Sequence, residues 1–309
     1  MTGGRDEADP DDDAAGAIEL LIEGRPRELG GVPVRRVLPV ARRRAVGPFV
    51  FLDHLGHPGH LGPPTLAPGQ GVDVPPHPHI GLATITYLFD GGFVHRDSTG
   101  AHQPIRPGDV NWMIAGRGVV HSERTAPEAR AAGGPLHGVQ TWVALPQADE
   151  ELAPSFEHHP AATLPHLARA GATLTIIAGA AYGATAPTGV RSPTLYVHAR
   201  LAPGASLDVD DTHAERAVHV VAGEVACAGR AVPAGVMAVL RPGAAVRLHA
   251  RAAAHVLLIG GAPLDGPRHI EWNFVSSTRA RIEQAKADWR ADRFPRVPGD
   301  EHERVPLPA

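Results

Sequence analysis

From Gly31 onward the chain is a series of short apolar runs separated by glycine, proline and polar residues. Phe49-Val50-Phe51-Leu52 is the first. Others are Ala83–Phe89, Val110–Ile114, Val139–Leu145, Leu174–Ala178, Thr194–Ala199, Ala217–Val221, Val236–Leu240 and His255–Ile259. Most are rich in Val, Ile, Leu or Thr and bounded by turn formers, the pattern of strands in a sandwich or barrel. One stretch has a different period. Ser276-Ser277-Thr278 offers N-cap side chains, Ile282, Ala285 and Trp289 recur at helical spacing, and Pro295 follows. A short C-terminal helix is predicted there, its Ile/Trp face packed on a barrel wall. The first fifteen residues are mostly Asp, Gly and Ala and read as a disordered acidic arm.

An internal repeat organises the strands. Pro107-Gly108-Asp109-Val110 through Ile114 resembles Pro233-Ala234-Gly235-Val236 through Leu240, and Tyr87–Gly91 resembles His219–Gly223. Two copies of one barrel account for 309 residues and for the number of strands. The polar, proline-containing stretch 146–154 is the expected linker. It leaves an N-terminal barrel over 16–145 and a C-terminal barrel, with the helix and tail, over 155–309.

Composition narrows the chemistry. The single cysteine, Cys227, excludes an intrachain disulfide and a multi-thiolate zinc site. Net charge is −4 with dispersed arginines, which argues against direct nucleic-acid binding. No apolar run approaches the ~20 residues of a membrane span. The acidic start lacks the pattern of a secretory signal, so a cytoplasmic location is expected. Nineteen histidines make metal binding the first chemistry to test.

His77-Pro78-His79 and His121-Ser122-Glu123 are two His-x-ligand pairs. Residues two apart in a strand point to one face, so each pair can aim two ligands into a barrel. Pro78 requires the first motif to sit at a strand start or edge. The turn Gly116-x-Gly118 precedes His121. Imidazole and carboxylate together suit iron, manganese, nickel, copper, cobalt or zinc. Other histidines read more blandly. His95-Arg96-Asp97-Ser98 is expected to be a surface loop, His54 beside Asp53 to order a turn, and Glu157-His158-His159 to be a histidine-bearing linker. Of Trp112 and Met113, one should face the barrel interior.

These motifs lie in HPHIGLATITYLFDGGFVHRDSTG (77–100) and IRPGDVNWMIAGRGVVHSE (105–123). Both resemble the signature of the pirin family, a branch of the cupins. RRRAVGPFVFLDHLG (42–56) and GPRHIEWNFVSSTRARIEQAKADW (266–289) are similar to flanking pirin segments. The resemblance covers about Arg35 to Pro298. It implies an all-β fold of two tandem cupin barrels, with one divalent transition metal, Fe2+ foremost, on His77, His79, His121 and Glu123. Ala83 stands where many pirins carry Glu, a change expected to alter the surroundings of the metal. Aligned through the repeat, these four ligands fall opposite Val209, Asp211, Arg247 and His249, which argues against a second full site.

The activity the resemblance implies is that of a quercetin 2,3-dioxygenase, opening the ring of a flavonol or related enolic or phenolic compound with dioxygen. Glu123 would be ligand and base. The alternative is a non-enzymatic, metal-dependent regulator of transcription or of a metabolic enzyme, acting through a protein partner.

Overall fold

A computed structural model describes residues 16–56 and 65–308; the expected arm, 1–15, lies outside them. Every apolar run named above falls in a strand or overlaps one. The strands form two barrels, each a large sheet facing a four-stranded one. The large sheet of the first runs in the order Ser155–His159, Val110–Ile114, Leu82–Asp90, His137–Ala144, Phe49–Leu55, Val32–Leu38, Arg25–Leu29. Its small sheet is Asp73–His79, Val119–Arg124, Phe93–Asp97, His102–Ile105. In the second barrel the large sheet has Ile18–Glu23, Val236–Leu240, Glu215–Ala222, Ala254–Gly261, Thr194–Leu201, Ala172–Ala181 and His166–Arg169 as its main path. Facing it are Ser206–Asp208, Arg247–His249, Glu224–Cys227 and Arg230–Pro233.

The repeat is visible at corresponding turns. Gly91 and Gly223 have φ of 82° and 76°. A Cβ on either would sit 2.3 Å from the Pro135 carbonyl oxygen or 2.6 Å from that of Ala253. The same backbone approach therefore demands glycine at the same place in both barrels.

The barrels exchange segments, and here the expected partition is corrected. Ile18–Glu23, assigned by sequence to the first barrel, pairs with Val236–Leu240 of the second. Ser155–His159, assigned to the second, pairs with Val110–Ile114 of the first. Each covers what would otherwise be an open sheet edge. Glu157-His158-His159 is thus a strand rather than a linker, with His158 Nδ1 2.8 Å from Asn111 Oδ1. The helix, Arg279–Arg290, starts at the expected cap, where Thr278 Oγ1 accepts from the Arg281 amide. Its buried face is the predicted Ile282, Ala285 and Trp289, and it packs on Ile80, Val120 and Phe274. The wall it closes belongs to the first barrel.

The two large sheets pack back to back around Phe49, Leu52, Ile85, Trp112, Tyr196, Met237, Leu257 and Ile259. Trp112 faces this seam. Met113 faces the first barrel's interior with Phe51 and Trp142, so it is the inward member of that pair. Ala83 also belongs to the seam. The expectation that its change alters the metal surroundings is corrected, because neighbouring strand residues face opposite ways.

Candidate metal centre

Asp73–His79 is an edge strand of its sheet, where the missing N–H groups of Pro75, Pro76 and Pro78 leave few ladder bonds unmade. It runs antiparallel to Val119–Arg124 with His77 opposite His121. A register shift between His121 and Glu123 turns the carboxylate relative to the imidazoles. The ligand atoms of His77, His79 and His121 lie within 4.8 Å of one another, and all three residues are buried. Their ring centroids are 4.3 to 5.1 Å apart.

The surroundings choose which nitrogen faces inward. His77 Nδ1 is 2.9 Å from the Pro75 carbonyl oxygen and His79 Nδ1 is 3.1 Å from that of Asn273. A carbonyl only accepts, so each Nδ1 carries its proton and each Nε2 keeps a lone pair for a ligand. His121 Nε2 is buried with no partner among the described residues. An unpartnered buried nitrogen beside two free lone pairs fits a metal ion. Burial lowers the pKa of His77 to about 4 and holds His79 and His121 well below the usual range. The imidazoles are therefore neutral at neutral pH, as ligation requires.

Glu123 is placed differently. It groups with His121 and His95 rather than with all three histidines. Its Oε1 accepts from Gln140 Nε2 at 2.6 Å. Burial pushes its pKa up to about 7, against hydrogen bonds from Gln140 and Thr86.

His95 corrects the sequence reading. It lies on the strand Phe93–Asp97, opposite Glu123, and is only 3% exposed. Its Nδ1 is 3.4 Å from His121 Nδ1 and its Nε2 is 2.9 Å from Asp97 Oδ2. Burial would raise the Asp97 carboxyl, but hydrogen bonds from His95 and Thr99 prevail and hold it below its ordinary range. A file of carboxylate, imidazole and imidazole thus backs the centre. The signal was present in sequence: His95-x-Asp97 has the same two-residue spacing as the other motifs. Gln140 was also missed, although it is a polar residue within an apolar run.

A cavity of about 380 Å³ opens onto His77 and Glu123. Phe51 and Trp142 stack in its wall at 4.0 Å. The Arg36 guanidinium lies 4.4 Å over Phe51 and bonds Asp53 through two nitrogens. His54 does not order a turn. It is buried in the strand Phe49–Leu55 on the seam side, 2.8 Å from His137 and 3.1 Å from His219.

In the second barrel Asp211, Arg247 and His249 are exposed, and Val209 is buried. Arg247 pairs outside with Asp208. Among the described residues, no further cluster of three ligating side chains occurs there. No helix is long and apolar enough to cross a membrane, among the described residues.

Comparison with known proteins follows the same division. Residues 31–143 match the Pirin family model and residues 196–295 the Pirin C-terminal cupin domain. A "Pirin-like protein" of Caulobacter vibrioides is 47% identical over 294 residues, spanning 94% of this chain and 99% of the relative. "Pirin" of Homo sapiens is 30% identical, spanning 88% of this chain and 92% of its own length. A crystal structure of quercetin 2,3-dioxygenase from Acinetobacter baumannii superposes with a TM-score of 0.87 at 32% identity, covering 96% of each chain. With both cupin domains matched along most of its length, the chain belongs to the pirin family.

Proposed function

We propose that the protein is a metal-dependent dioxygenase that opens the ring of a flavonol or a related enolic or phenolic compound. The observation that carries this reading is the aromatic-walled cavity opening onto His77 and Glu123. Its size falls within the range of small-molecule sites, roughly 300–1,000 Å³. A purely regulatory metal site has no need of such a space. Likeness to the Acinetobacter baumannii quercetin 2,3-dioxygenase supports the same substrate class.

In this reading His77, His79, His121 and Glu123 hold one divalent transition metal, Fe2+ foremost. Bound there, the ion would supply Lewis acidity and a template for dioxygen and substrate. The protein's own groups do the rest. Phe51 and Trp142 offer flat faces to a polyphenol ring. Glu123 accepts the proton of the substrate hydroxyl. Gln140 and Thr86 hydrogen-bond the carboxylate and fix its orientation.

The test is quercetin loss by absorbance with oxygen uptake, normalised to metal per chain. Wild type should exceed free metal. Glu123→Gln should retain some metal yet turn over at least ~10²-fold more slowly per bound ion. Wild-type turnover no faster than free metal would remove the enzyme reading. Equal turnover per metal in the variant would remove the base role alone.

A further inference from the structure

A second cavity, of about 460 Å³, lies where the two barrels meet, and none of its lining residues lines the cavity at His77 and Glu123. The first large sheet separates them. Thr86 hydrogen-bonds Glu123 on one face, while its neighbour Tyr87 lines the second cavity on the other.

Its chemistry is one-sided. No carboxylate is among its described lining residues. Arg200 is its permanent cation, exposed at the mouth. The Tyr87 hydroxyl is 3.2 Å from His198 Nδ1, and His198 Nε2 is buried without a partner among the described residues. Phe89 tilts against His198 at 4.8 Å and meets Tyr87 edge-on at 5.5 Å. Leu88, Pro107 and Leu174 complete an apolar wall.

Counting charges selects the ligand. Burial holds His198 well below its ordinary pKa, so it is neutral. Burial pushes Tyr87 up to about 12, so its hydroxyl keeps its proton. The Arg200 guanidinium is then the one permanent charge among the described lining residues, beside hydrogen-bonding groups that include the exposed His166 and beside aromatic faces. A dianionic phosphate would be undercompensated there. A neutral molecule would leave the exposed guanidinium to solvent and gain no charge-assisted bond from it. A single carboxylate matches the planar fork of arginine through two parallel bonds.

We propose that the cavity between the barrels binds a small aromatic monocarboxylate, with its carboxylate on Arg200 and its ring against Phe89 and Tyr87. The site is separate from the metal centre and does not depend on the activity assigned to it.

The probe is 2-naphthoate, titrated calorimetrically into the metal-loaded full chain, with neutral 2-naphthamide as comparator. The acid should bind saturably and the amide at least about tenfold more weakly. Arg200→Met, an exposed position, should weaken the acid about tenfold and abolish the preference over the amide. Phe89→Ala should weaken both. Chain stripped of metal should bind the acid as tightly as loaded chain. The proposal is overturned by absence of saturable binding, by unchanged affinity in Arg200→Met, or by binding that disappears when metal is stripped.

Discussion

In the first barrel the small sheet presents His77, His79, His121 and Glu123 to the interior, whereas that of the second, with the residues flanking its strands, presents Leu207, Val209, Val246 and Leu248. The charged side chains of the second sheet, Asp208 and Arg247, pair on the outside instead. Because strand faces alternate, a shift of one residue exchanges the two sets. The repeat alignment placed Arg247 and His249 opposite ligands, yet both face solvent. The fold therefore requires an inward row but does not dictate its chemistry. Imidazoles and a carboxylate cost free energy to bury unless partnered. They are retained in the barrel where three elements partner them: Gln140, the Asn273 carbonyl, and the His95–Asp97 pair.

The largest expected effect is on metal content. Wild type should hold about one ion per chain, since among the described residues the groups of three side chains placed to share a metal all lie in the first barrel. His121→Ala should reduce this to near zero, and His249→Ala should change nothing. Plasma mass spectrometry of purified samples decides it. Two ions per chain, or loss in His249→Ala, would erase the distinction between the barrels.

Acid should come next. His77 and His137 stand at about 4 and His219 at about 3, against an ordinary 6.5, in each case chiefly through burial. Between those values the unfolded chain binds protons that the folded chain refuses. Stability is therefore complete above pH 6.5 and falls as pH drops toward 4. Each such histidine costs about 2 kcal/mol at pH 5. In the second interior burial pushes Cys227 up to about 12, so it takes up no proton as pH falls. Hydrogen exchange of metal-free protein should show Asp73–His79 and Val119–Arg124 losing protection at pH 5, with Glu224–Cys227 retaining it. Uniform loss would contradict this.

A smaller effect should follow from the dry interior. Leu248→Ala removes a fully buried side chain and should cost about 2–5 kcal/mol in denaturant unfolding. Metal per folded chain should not change. If it falls, the second barrel supports the centre more directly than its packing suggests.

Strand existence, the helix and its buried face were legible because each rests on local periodicity and capping. The convergence of His77, His79 and His121 was legible because their spacing and a family resemblance coincide. Exchange of Ile18–Glu23 and Ser155–His159 was not, since strand pairing is a long-range choice that a local pattern does not encode. The same limit hid His95 and His54. His95-x-Asp97 repeats the ligand spacing and His54 follows an apolar run, but only the sheet register brings His95 to His121 and His54 to His137 and His219. Gln140 was overlooked because its neighbours read as core.

The smallest effect concerns support of the ligands, and it tests whether the first barrel's polar interior is a cooperating set. His121 Nδ1 faces His95, whose far nitrogen is held by Asp97. Such backing fixes the ring orientation and the tautomer of a ligand, and its loss typically weakens metal binding about 10–100-fold. His95→Leu keeps the site closed but removes both nitrogens. Affinity, measured by competition with a chromophoric chelator, should fall by that amount while stoichiometry at saturation stays near one. The visible spectrum of the cobalt-substituted protein should shift as His121 reorients. Unchanged affinity would mean that the strand alone positions His121. Complete loss of metal, equal to that of His121→Ala, would make His95 a ligand in its own right, joining the group it already forms with His121 and Glu123.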